Sequence, residues 1–352
     1  MSVVEGLPRL LEDSGHKGLL ELREGLSKLV NHAHQSSCLI DQQRLNQRVY
    51  RLRFEIGDRL DSFIVKRLEP HVAQRIQLAV NRWLPAVGLD ESGPGLLATL
   101  AERGGDCVWH VYEDLGDWAL DSADPESSSV AVVVKLIARI HTRFAKHPLL
   151  AECRLHGGEL GIPFYAANVR DAIHGLMALE PPVVELPAIA EASRGCLLER
   201  LHSLLDEEPH RAQLQADLGG YETLLHGDLW TSNVFVIPTK DGLRARLIDW
   251  DHVGVGSFGY DLSTLLLRYP REHRPRILEQ YRDLVADAGW RLPGVRDLNV
   301  LFETAEYARY ANRVIWASIA LLDGEDWGFD ELTEIERWFE TFQPVLPERE
   351  DI

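Results

Sequence analysis

The most informative stretch of the 352-residue sequence lies between residues 224 and 251. It holds two polar clusters in apolar surroundings: Leu224-Leu225-His226-Gly227-Asp228-Leu229-Trp230-Thr231-Ser232-Asn233-Val234 and Leu247-Ile248-Asp249-Trp250-Asp251. We expect short strands at 223–225, 234–237 and 245–248, so that Asp228 and Asn233 share one loop and Asp249 follows the third strand. Two carboxylates and an amide oxygen that converge there would suit a hard divalent cation. Phosphoryl transfer needs such a cation, together with a carboxylate that orients the attacking hydroxyl.

These residues resemble the signature of the aminoglycoside phosphotransferase / choline kinase family. The string His226-Gly227-Asp228, four residues and Asn233 has the same step from Asp to Asn as the protein-kinase loop H-R-D-L-x-x-x-N. Ile248-Asp249-Trp250 follows at a family-like distance. The resemblance covers most of the chain and is specific over 222–263. It implies an α+β, bilobal, protein-kinase-like fold with a small β-rich N-terminal lobe and a larger, mostly helical C-terminal lobe.

The resemblance also implies roles for the residues of the motif. Asp228 would be the catalytic base or hydroxyl-orienting group, and Asn233 and Asp249 would hold Mg²⁺. His226 would support the loop from within, and Asp261 would support it from below. The implied activity is transfer of the γ-phosphate of ATP or GTP to a hydroxyl group of a small molecule.

The N-terminal lobe offers candidates for nucleotide binding. Lys66, in Phe63-Ile64-Val65-Lys66, resembles the V-A-I-K lysine that holds the phosphates. The glutamate that should orient this lysine from the next helix is replaced, by register, with Gln77, which can accept a hydrogen bond from the ammonium but brings no charge. The same resemblance implies that Tyr112 and Glu113 lie at the hinge between the lobes, where backbone groups would contact adenine.

The segment expected to cover the phosphates departs from the kinase pattern. Residues 41–47 contain no glycine, so we expect backbone N–H groups with Asn46 or Arg44 to contact phosphate. Together with Gln77, this departure favours one alternative, a nucleotide-binding pseudokinase with a regulatory or scaffold role. The complete set of Asp228, Asn233 and Asp249 argues against that alternative.

The distribution of charge bears on the acceptor. Residues 1–100 are nearly neutral, whereas residues 101–352 carry 24 basic against 43 acidic side chains. An acidic cleft concentrates cations, and aromatic faces bind them. We therefore predict a cationic acceptor, an amino sugar, aminoglycoside or amino alcohol, and the string H-G-D-L-W also resembles fructosamine-kinase relatives. The candidate acceptor-binding residues are Asp251, Trp230, Asp323, Asp326 and Trp327.

Length and composition limit the remaining possibilities. The length favours two domains, which we place at 1–113, with a helical leader at 1–35, and at 114–352, with a helical insert at 154–219. The formal net charge of −18 argues against nucleic acid as a partner. No apolar run approaches the roughly 20 residues that span a bilayer. The N-terminus lacks a signal-peptide profile, so we expect a cytoplasmic protein. The sequence does not indicate its oligomeric state.

One motif suggests a different cofactor. Residues 254–259 read G-x-G-x-x-G, which in a dinucleotide-binding domain is followed by a second strand ending in an acidic residue about 20 positions later. Helices are predicted instead at 262–269 and 271–288. We therefore do not favour an NAD-linked dehydrogenase, and the glycines are better explained by a sharp turn after the metal ligand.

Overall fold

The computed structural model describes residues 4–30, 36–181 and 183–347 of the chain. Its contacts form two compact units, Met1–Leu120 with Ser232–Asp251 and Asp121–Thr231 with His252–Ile352. The division differs from the predicted boundary between residues 113 and 114. The Leu120 amide donates to the Val234 carbonyl at 2.8 Å, and the Val236 amide donates to the Trp118 carbonyl at 2.9 Å. These bonds attach the returning segment to residues 118–120, which accounts for the difference.

The first unit is built on five strands: β1 Ser37–Arg44, β2 Val49–Ile56, β3 Arg59–Leu68, β4 Leu96–Ala101 and β5 Val108–Glu113. They form an antiparallel sheet of order β1-β2-β3-β5-β4. Strand β2 alternates in burial, with Tyr50, Leu52 and Phe54 buried. The unit also contains a separate hairpin of β7, Val234–Thr239, with β8, Gly242–Leu247.

Two helical segments accompany this sheet. Helix α1, Leu19–Val30, buries Leu22 and Leu26 in the same core as strand β2. Helix α2, Pro70–Leu78, begins with a proline, then passes through a π-helical turn, Ala79–Trp83, into α3, Leu84–Ala86. Single π-helical turns within α-helices are frequently found at functional sites.

The N-terminal prediction was only partly right. The helical leader predicted at 1–35 contains α1 and two 3₁₀ turns, Leu7–Arg9 and Glu12–Ser14, and residues 1–3 and 31–35 lie outside the described residues. Gly15 and Gly18 take left-handed conformations, φ 66° and 75°, which end the turns before α1. Strand β1 was not predicted, because its second half is polar and exposed at the edge of the sheet.

The second unit is predominantly helical. Its helices are α4 Ser128–Phe144, α5 Leu150–His156, α6 Ile162–Ala178, α7 Ala188–Asp206, α8 Glu208–Leu218, α9 Gly259–Leu266, α10 Arg274–Ala286, α11 Val295–Leu322 and α12 Trp327–Thr341. The core joins α6, α7, α11 and α12 through residues such as Leu176, Leu201 and Val314. Most of the insert predicted at 154–219 is helical. Within the described residues, no helix has both the length and the apolar character that crossing a membrane requires.

The glycine-rich segment 254–259 belongs to a small sheet of this unit. Strand β6, Glu222–Leu225, pairs antiparallel with β9, Gly254–Ser257. A Cβ atom on Gly254 would lie 2.8 Å from the Leu160 side chain, and one on Gly256 would lie 3.0 Å from the Leu160 backbone. The glycines therefore allow close packing in an antiparallel strand. They do not form the strand–helix turn that a dinucleotide-binding domain uses.

Candidate active site

The loop that carries Asp228 follows strand β6. Gly227 has φ 83°, and a Cβ atom at this position would lie 1.9 Å from the His252 carbonyl oxygen. Only glycine can therefore occupy the position. The Trp230 amide donates to the Asp228 carbonyl at 2.9 Å, which tightens the turn after the aspartate. The sequence thus bends sharply at the place where the carboxylate is presented.

Asp261 supports this loop from the first turn of α9. Its two carboxylate oxygens accept the amide hydrogens of His226, at 2.8 Å, and Gly227, at 2.9 Å. The carboxylate is almost completely buried, and His141 lies 3.4 Å from it while also contacting the Tyr281 hydroxyl. These bonds fix the backbone directly before Asp228.

The charge of Asp261 is maintained by its neighbours. Burial alone would raise its pKa, but the hydrogen bond and charge of His141, the charge of His226 and the Gly227 amide outweigh burial and lower the pKa. The His226 ring also accepts the Asp228 amide hydrogen at 3.3 Å. His226 and Asp261 therefore both act on the loop, and neither side chain is needed as a reacting group.

Lys66 lies between two carboxylates of the first unit. Its ammonium nitrogen is 2.5 Å from Asp249 and 2.8 and 3.0 Å from the two oxygens of Asp251. Burial would lower the pKa of Lys66, but the two carboxylates raise it. Burial and the neighbouring Asp249 raise the pKa of Asp251 to about 7, against the opposing effect of Lys66. The lysine is thus partly buried, charged and fixed in position.

This arrangement changes two predictions. Asp251 was predicted to contact the acceptor, but its carboxylate contacts Lys66. Gln77 was predicted to lie near Lys66, but its amide donates to the Thr99 hydroxyl at 2.8 Å. Register along α2 could not show this, because the partner of Lys66 comes from a segment about 185 positions later in the chain.

Asn233 and Asp249 are neighbours at one end of the β7–β8 hairpin. The Ile248 amide donates to the Asn233 carbonyl at 2.9 Å, and Asp249 has a left-handed backbone with φ 64°. Such a conformation is strained for a residue other than glycine and is typical of functional positions. Within the described part of the chain, no group of three or more His, Cys, Asp or Glu is placed to hold a metal ion. One carboxylate and one carboxamide suit Mg²⁺, which usually binds few protein oxygens and takes its other ligands from phosphates and water.

The other nucleotide-binding candidates already make contacts within the first unit. Asn46 lies exposed in the β1–β2 turn, where its side chain accepts the Arg48 amide hydrogen at 2.8 Å. Tyr112 is buried, and its hydroxyl lies 2.8 Å from the His110 ring. The Glu113 side chain accepts the Gly95 amide hydrogen at 2.9 Å and pairs with Arg246, while the Glu113 amide donates to the Gly95 carbonyl. The Glu113 N–H group is therefore occupied.

The surroundings of Asp228 include arginines that no motif indicated. The Arg268 guanidinium lies 3.8 Å above the Trp230 ring, and Arg309 lies 3.8 Å above the Tyr260 ring. Arg309 pairs with Glu306 one helical turn earlier, and the charge of Asp228 acts on both arginines. The Glu306–Arg309 spacing inside a largely apolar helix was the one available sequence signal, because charges there are buried only when paired.

The remaining acceptor candidates cluster elsewhere in the second unit. Asp323 ends α11, and Asp326 and Trp327 begin α12. Asp323 follows Arg309 by 14 positions, which is about 21 Å along a helix. The Trp327 ring nitrogen donates to Glu325 at 2.8 Å, in an exposed position. Charge composition suggested an acceptor role for these residues, but they lie too far along α11 to line one small site with Arg309.

Comparison with known proteins identifies the fold. A Plasmodium vivax ethanolamine kinase has a TM-score of 0.60 at 13% identity, with 97% of this chain and 96% of that chain covered. An aminoglycoside 2′-phosphotransferase solved with GDP has a TM-score of 0.58 at 13% identity, with 92% of this chain and 98% of that chain covered. A spectinomycin phosphotransferase solved with ADP and spectinomycin has a TM-score of 0.54 at 12% identity, with 92% of this chain and 95% of that chain covered. The predicted protein-kinase-like α+β fold is thereby confirmed.

The family assignment comes from the sequence itself. No curated protein sequence matches the chain. A family model described as the phosphotransferase enzyme family, APH, matches residues 40–296. This range includes Lys66, Asp228, Asn233, Asp249 and Asp261, and it confirms both the predicted family and the predicted enzyme class. The chain belongs to the APH phosphotransferase enzyme family.

Proposed function

We propose that the protein is a small-molecule kinase that transfers the γ-phosphate of ATP or GTP to a hydroxyl group. The observation that carries this proposal is the Asp228 loop, whose backbone is fixed by the two hydrogen bonds to Asp261. A rigidly held carboxylate can orient an acceptor hydroxyl at low entropic cost, which is a main part of catalysis in phosphoryl transfer.

The first unit supplies the groups for the nucleotide. Lys66 would bind the phosphates as a fixed positive charge, and Asn46 would reach them from the β1–β2 turn. Asn233 and Asp249 would hold Mg²⁺, whose oxygen-seeking chemistry their side chains suit. When bound, the ion would neutralise charge on the β- and γ-phosphates. Nucleotide binding is further supported by the solved similar structures that contain ADP and GDP.

Asp251 would act as the residue that positions Lys66. In kinases of this fold a glutamate from the helix after the lysine strand performs this task. Here the Asp251 carboxylate accepts from Lys66 with both oxygens, and Arg75 of α2 donates to the Asp251 backbone carbonyl at 2.7 Å. The helix therefore supports the lysine through the backbone of the 249–251 segment.

Asp228 would act on the acceptor. The acceptor oxygen forms a bond to the γ-phosphorus while the bond from that phosphorus to the β–γ bridging oxygen breaks, and the nucleoside diphosphate leaves. The hydroxyl proton passes to the Asp228 carboxylate and then to solvent, so that the enzyme returns to its starting state.

The acceptor is predicted to be a small molecule with a cationic group, such as an amino sugar, an aminoglycoside, an amino alcohol or a fructosamine-type sugar amine. This prediction is supported by the similar structures, which include an ethanolamine kinase and a spectinomycin complex. The half-exposed Trp230 ring offers an aromatic surface, although Arg268 covers one face of it.

The direct test is nucleotide-dependent phosphorylation. The full-length protein is incubated with ATP or GTP, with and without Mg²⁺, and with ethanolamine, choline, spectinomycin, kanamycin or fructosyl-lysine. Release of ADP or GDP that requires both Mg²⁺ and one of these acceptors supports the proposal. A second panel of hydroxy acids and phosphorylated alcohols is tested in the same way. If the protein binds ATP tightly but releases no diphosphate with any acceptor of either panel, it is a pseudokinase.

A further inference from the structure

Arg268 is a partly buried cation whose guanidinium makes no hydrogen bond within the described part of the chain. Its guanidinium stacks on Trp230, and its Nε atom is buried with no hydrogen-bond acceptor among the described residues. No carboxylate of the described chain forms an ion pair with it. Arg309 shows the contrast, since it pairs with Glu306 and donates to the Tyr260 carbonyl and the Ser263 hydroxyl.

The position of Arg268 links it to the catalytic loop. Trp230, on which it stacks, donates its amide hydrogen to the Asp228 carbonyl at 2.9 Å. Asp228 and Arg268 are also close enough for their charges to interact. Both residues belong to the second unit, and Trp230 as a whole residue is 42% exposed. A molecule that presents a hydroxyl to Asp228 can therefore extend along Trp230 to Arg268.

Burial is the main effect that disfavours the charge on Arg268. Burial lowers the pKa of Arg268, the charges of Glu306, Tyr310 and Asp228 raise it, and the charge of Arg309 lowers it. Burial also lowers the pKa of Arg274, with contributions from Arg271 and from Arg268 itself. Several positive charges are therefore kept together in a chain whose formal net charge is −18.

A purely structural role does not explain this arrangement. A guanidinium has five N–H donors, and stacking on an aromatic ring satisfies none of them. Removing a charge from water without a partner is costly, so such residues are normally paired. The planar fork of arginine binds carboxylate or phosphate with two parallel hydrogen bonds. An anionic ligand group would supply what the protein itself does not.

We infer that Arg268 binds an anionic group, a carboxylate or a phosphate, on the acceptor whose hydroxyl Asp228 orients. The inference rests on the proposed transfer of phosphate to a hydroxyl group, and it replaces the cationic acceptors named above with hydroxy acids, including hydroxy amino acids, and phosphorylated alcohols. An amino group on the same acceptor is compatible with it. A purely cationic acceptor is not.

The first arm of the test compares acceptors that differ only in charge. Glycerol, glycerate and glycerol 3-phosphate form one set, and ethanolamine and L-serine form another. ADP release is measured with Mg²⁺ and ATP at constant ionic strength, because salt screens surface charge. The inference predicts a KM at least tenfold lower for an anionic member than for its uncharged or cationic counterpart. Glycerate against glycerol 3-phosphate distinguishes carboxylate from phosphate.

The second arm removes the charge but keeps the stacking. Arg268→Met retains an unbranched apolar side chain above Trp230, and Arg276→Gln alters an exposed arginine that pairs with Glu126. Arg268→Met should raise the KM of the anionic acceptor at least tenfold and leave the KM of ATP unchanged. Arg268→Lys should restore part of the loss. Arg276→Gln should match the wild type.

A third arm needs no turnover. Without ligand, Arg268→Met should melt at the same or a higher temperature than the wild type, because a partly buried charge with no ion-pair partner among the described residues is removed. Glycerate or inorganic phosphate should raise the melting temperature of the wild type and not that of Arg268→Met. Loss of stability in the variant without ligand would show a structural role and overturn the inference.

The outcomes separate the inference from the proposed function. Suppose that ethanolamine or glycerol is phosphorylated at least as efficiently as the anionic acceptors, and that Arg268→Met does not change this. That result overturns the inference and leaves the kinase function standing. If the enzyme phosphorylates none of the acceptors, the third arm decides. Equal shifts of the melting temperature by glycerate or phosphate in the wild type and in Arg268→Met would then overturn the inference. If neither ATP nor GTP binds in the presence of Mg²⁺, the proposed function fails, and the inference fails with it.

Discussion

At the level of single residues, Asp261 connects the fold to the catalytic loop. It is buried, it accepts two backbone amide hydrogens, and its pKa is held low by His141. The H-G-D-x-x-x-x-N spacing made the reacting carboxylate predictable from the sequence, because the step between the residues is fixed by one loop. Arg268 could not be predicted, because its contact with Trp230 joins two segments distant in sequence and depends on no local spacing.

Replacing Asp261 with Asn should damage both the stability and the catalytic rate. An amide offers one acceptor where two are needed, and its NH₂ group faces an N–H donor. We expect a loss of roughly 2 to 4 kcal/mol in the free energy of unfolding and a fall in kcat with ATP binding retained. Urea unfolding and steady-state kinetics measure both. Asp283→Asn, on the exposed face of α10, is the control. Full activity in Asp261→Asn would contradict the supporting role.

His110 should make the protein acid-sensitive. Burial first, and then the charge of Lys66, lower its pKa from 6.5 to about 4. Between these values the unfolded chain binds a proton that the folded chain does not, so the stability from neutral His110 is complete above pH 6.5 and is lost as the pH falls toward 4.

The change expected from His110 is measurable. From pH 7 to pH 5 it should cost about 2 kcal/mol in the free energy of unfolding, at 1.36 kcal/mol per pKa unit. In His110→Gln, the fall in unfolding free energy between pH 7 and pH 5 should be smaller than in the wild type by about this amount. His71→Gln, at an exposed position, should behave like the wild type. Urea titrations at both pH values give the comparison. An identical pH dependence in His110→Gln would contradict the assignment.

At the level of elements, the segment after β8 carries more of the site than any helix. Residues 249–251 provide a candidate metal ligand and the partner of Lys66, and Arg75 of α2 binds their backbone. The hairpins β2–β3 and β4–β5 were predictable, because alternation and turn residues are local signals. Strand β1 and the partner of Lys66 were not, because edge strands can be polar and because an ion pair between distant segments leaves no periodic signal.

Asp251 should therefore affect the nucleotide more than the acceptor. Asp251→Asn leaves Lys66 with only Asp249, so that the lysine is less well fixed for phosphate. We expect the KM for ATP to rise roughly tenfold, which corresponds to about 1.4 kcal/mol. The KM for the acceptor should change little, and Gln77→Ala should have no effect, because Gln77 binds Thr99. A rise confined to the acceptor KM would return Asp251 to an acceptor role.

At the level of the whole molecule, the fold is preserved while the sequence has diverged widely. Identity of 12 to 13% with solved kinases accompanies TM-scores of 0.54 to 0.60. Apolar patterning and a few fixed loop residues are enough to specify such a fold, since many apolar substitutions of similar volume are tolerated in a core. The acceptor is set by side chains outside these constraints. Family and fold were therefore predictable from the sequence, and the identity of the acceptor stays a prediction.

The central claim is that Asp228 acts on the acceptor and Asp249 on the nucleotide. It is tested most directly by measuring Mg²⁺-dependent ATP binding by calorimetry and phosphotransfer by ADP release in Asp228→Ala and Asp249→Ala, with Asp217→Asn, an exposed site on α8, as the control. Asp228→Ala should bind ATP like the wild type and lose at least a thousandfold in kcat, about 4 kcal/mol of transition-state stabilisation. Asp249→Ala should lose the Mg²⁺-dependent part of binding. Undiminished phosphotransfer by Asp228→Ala would contradict the account.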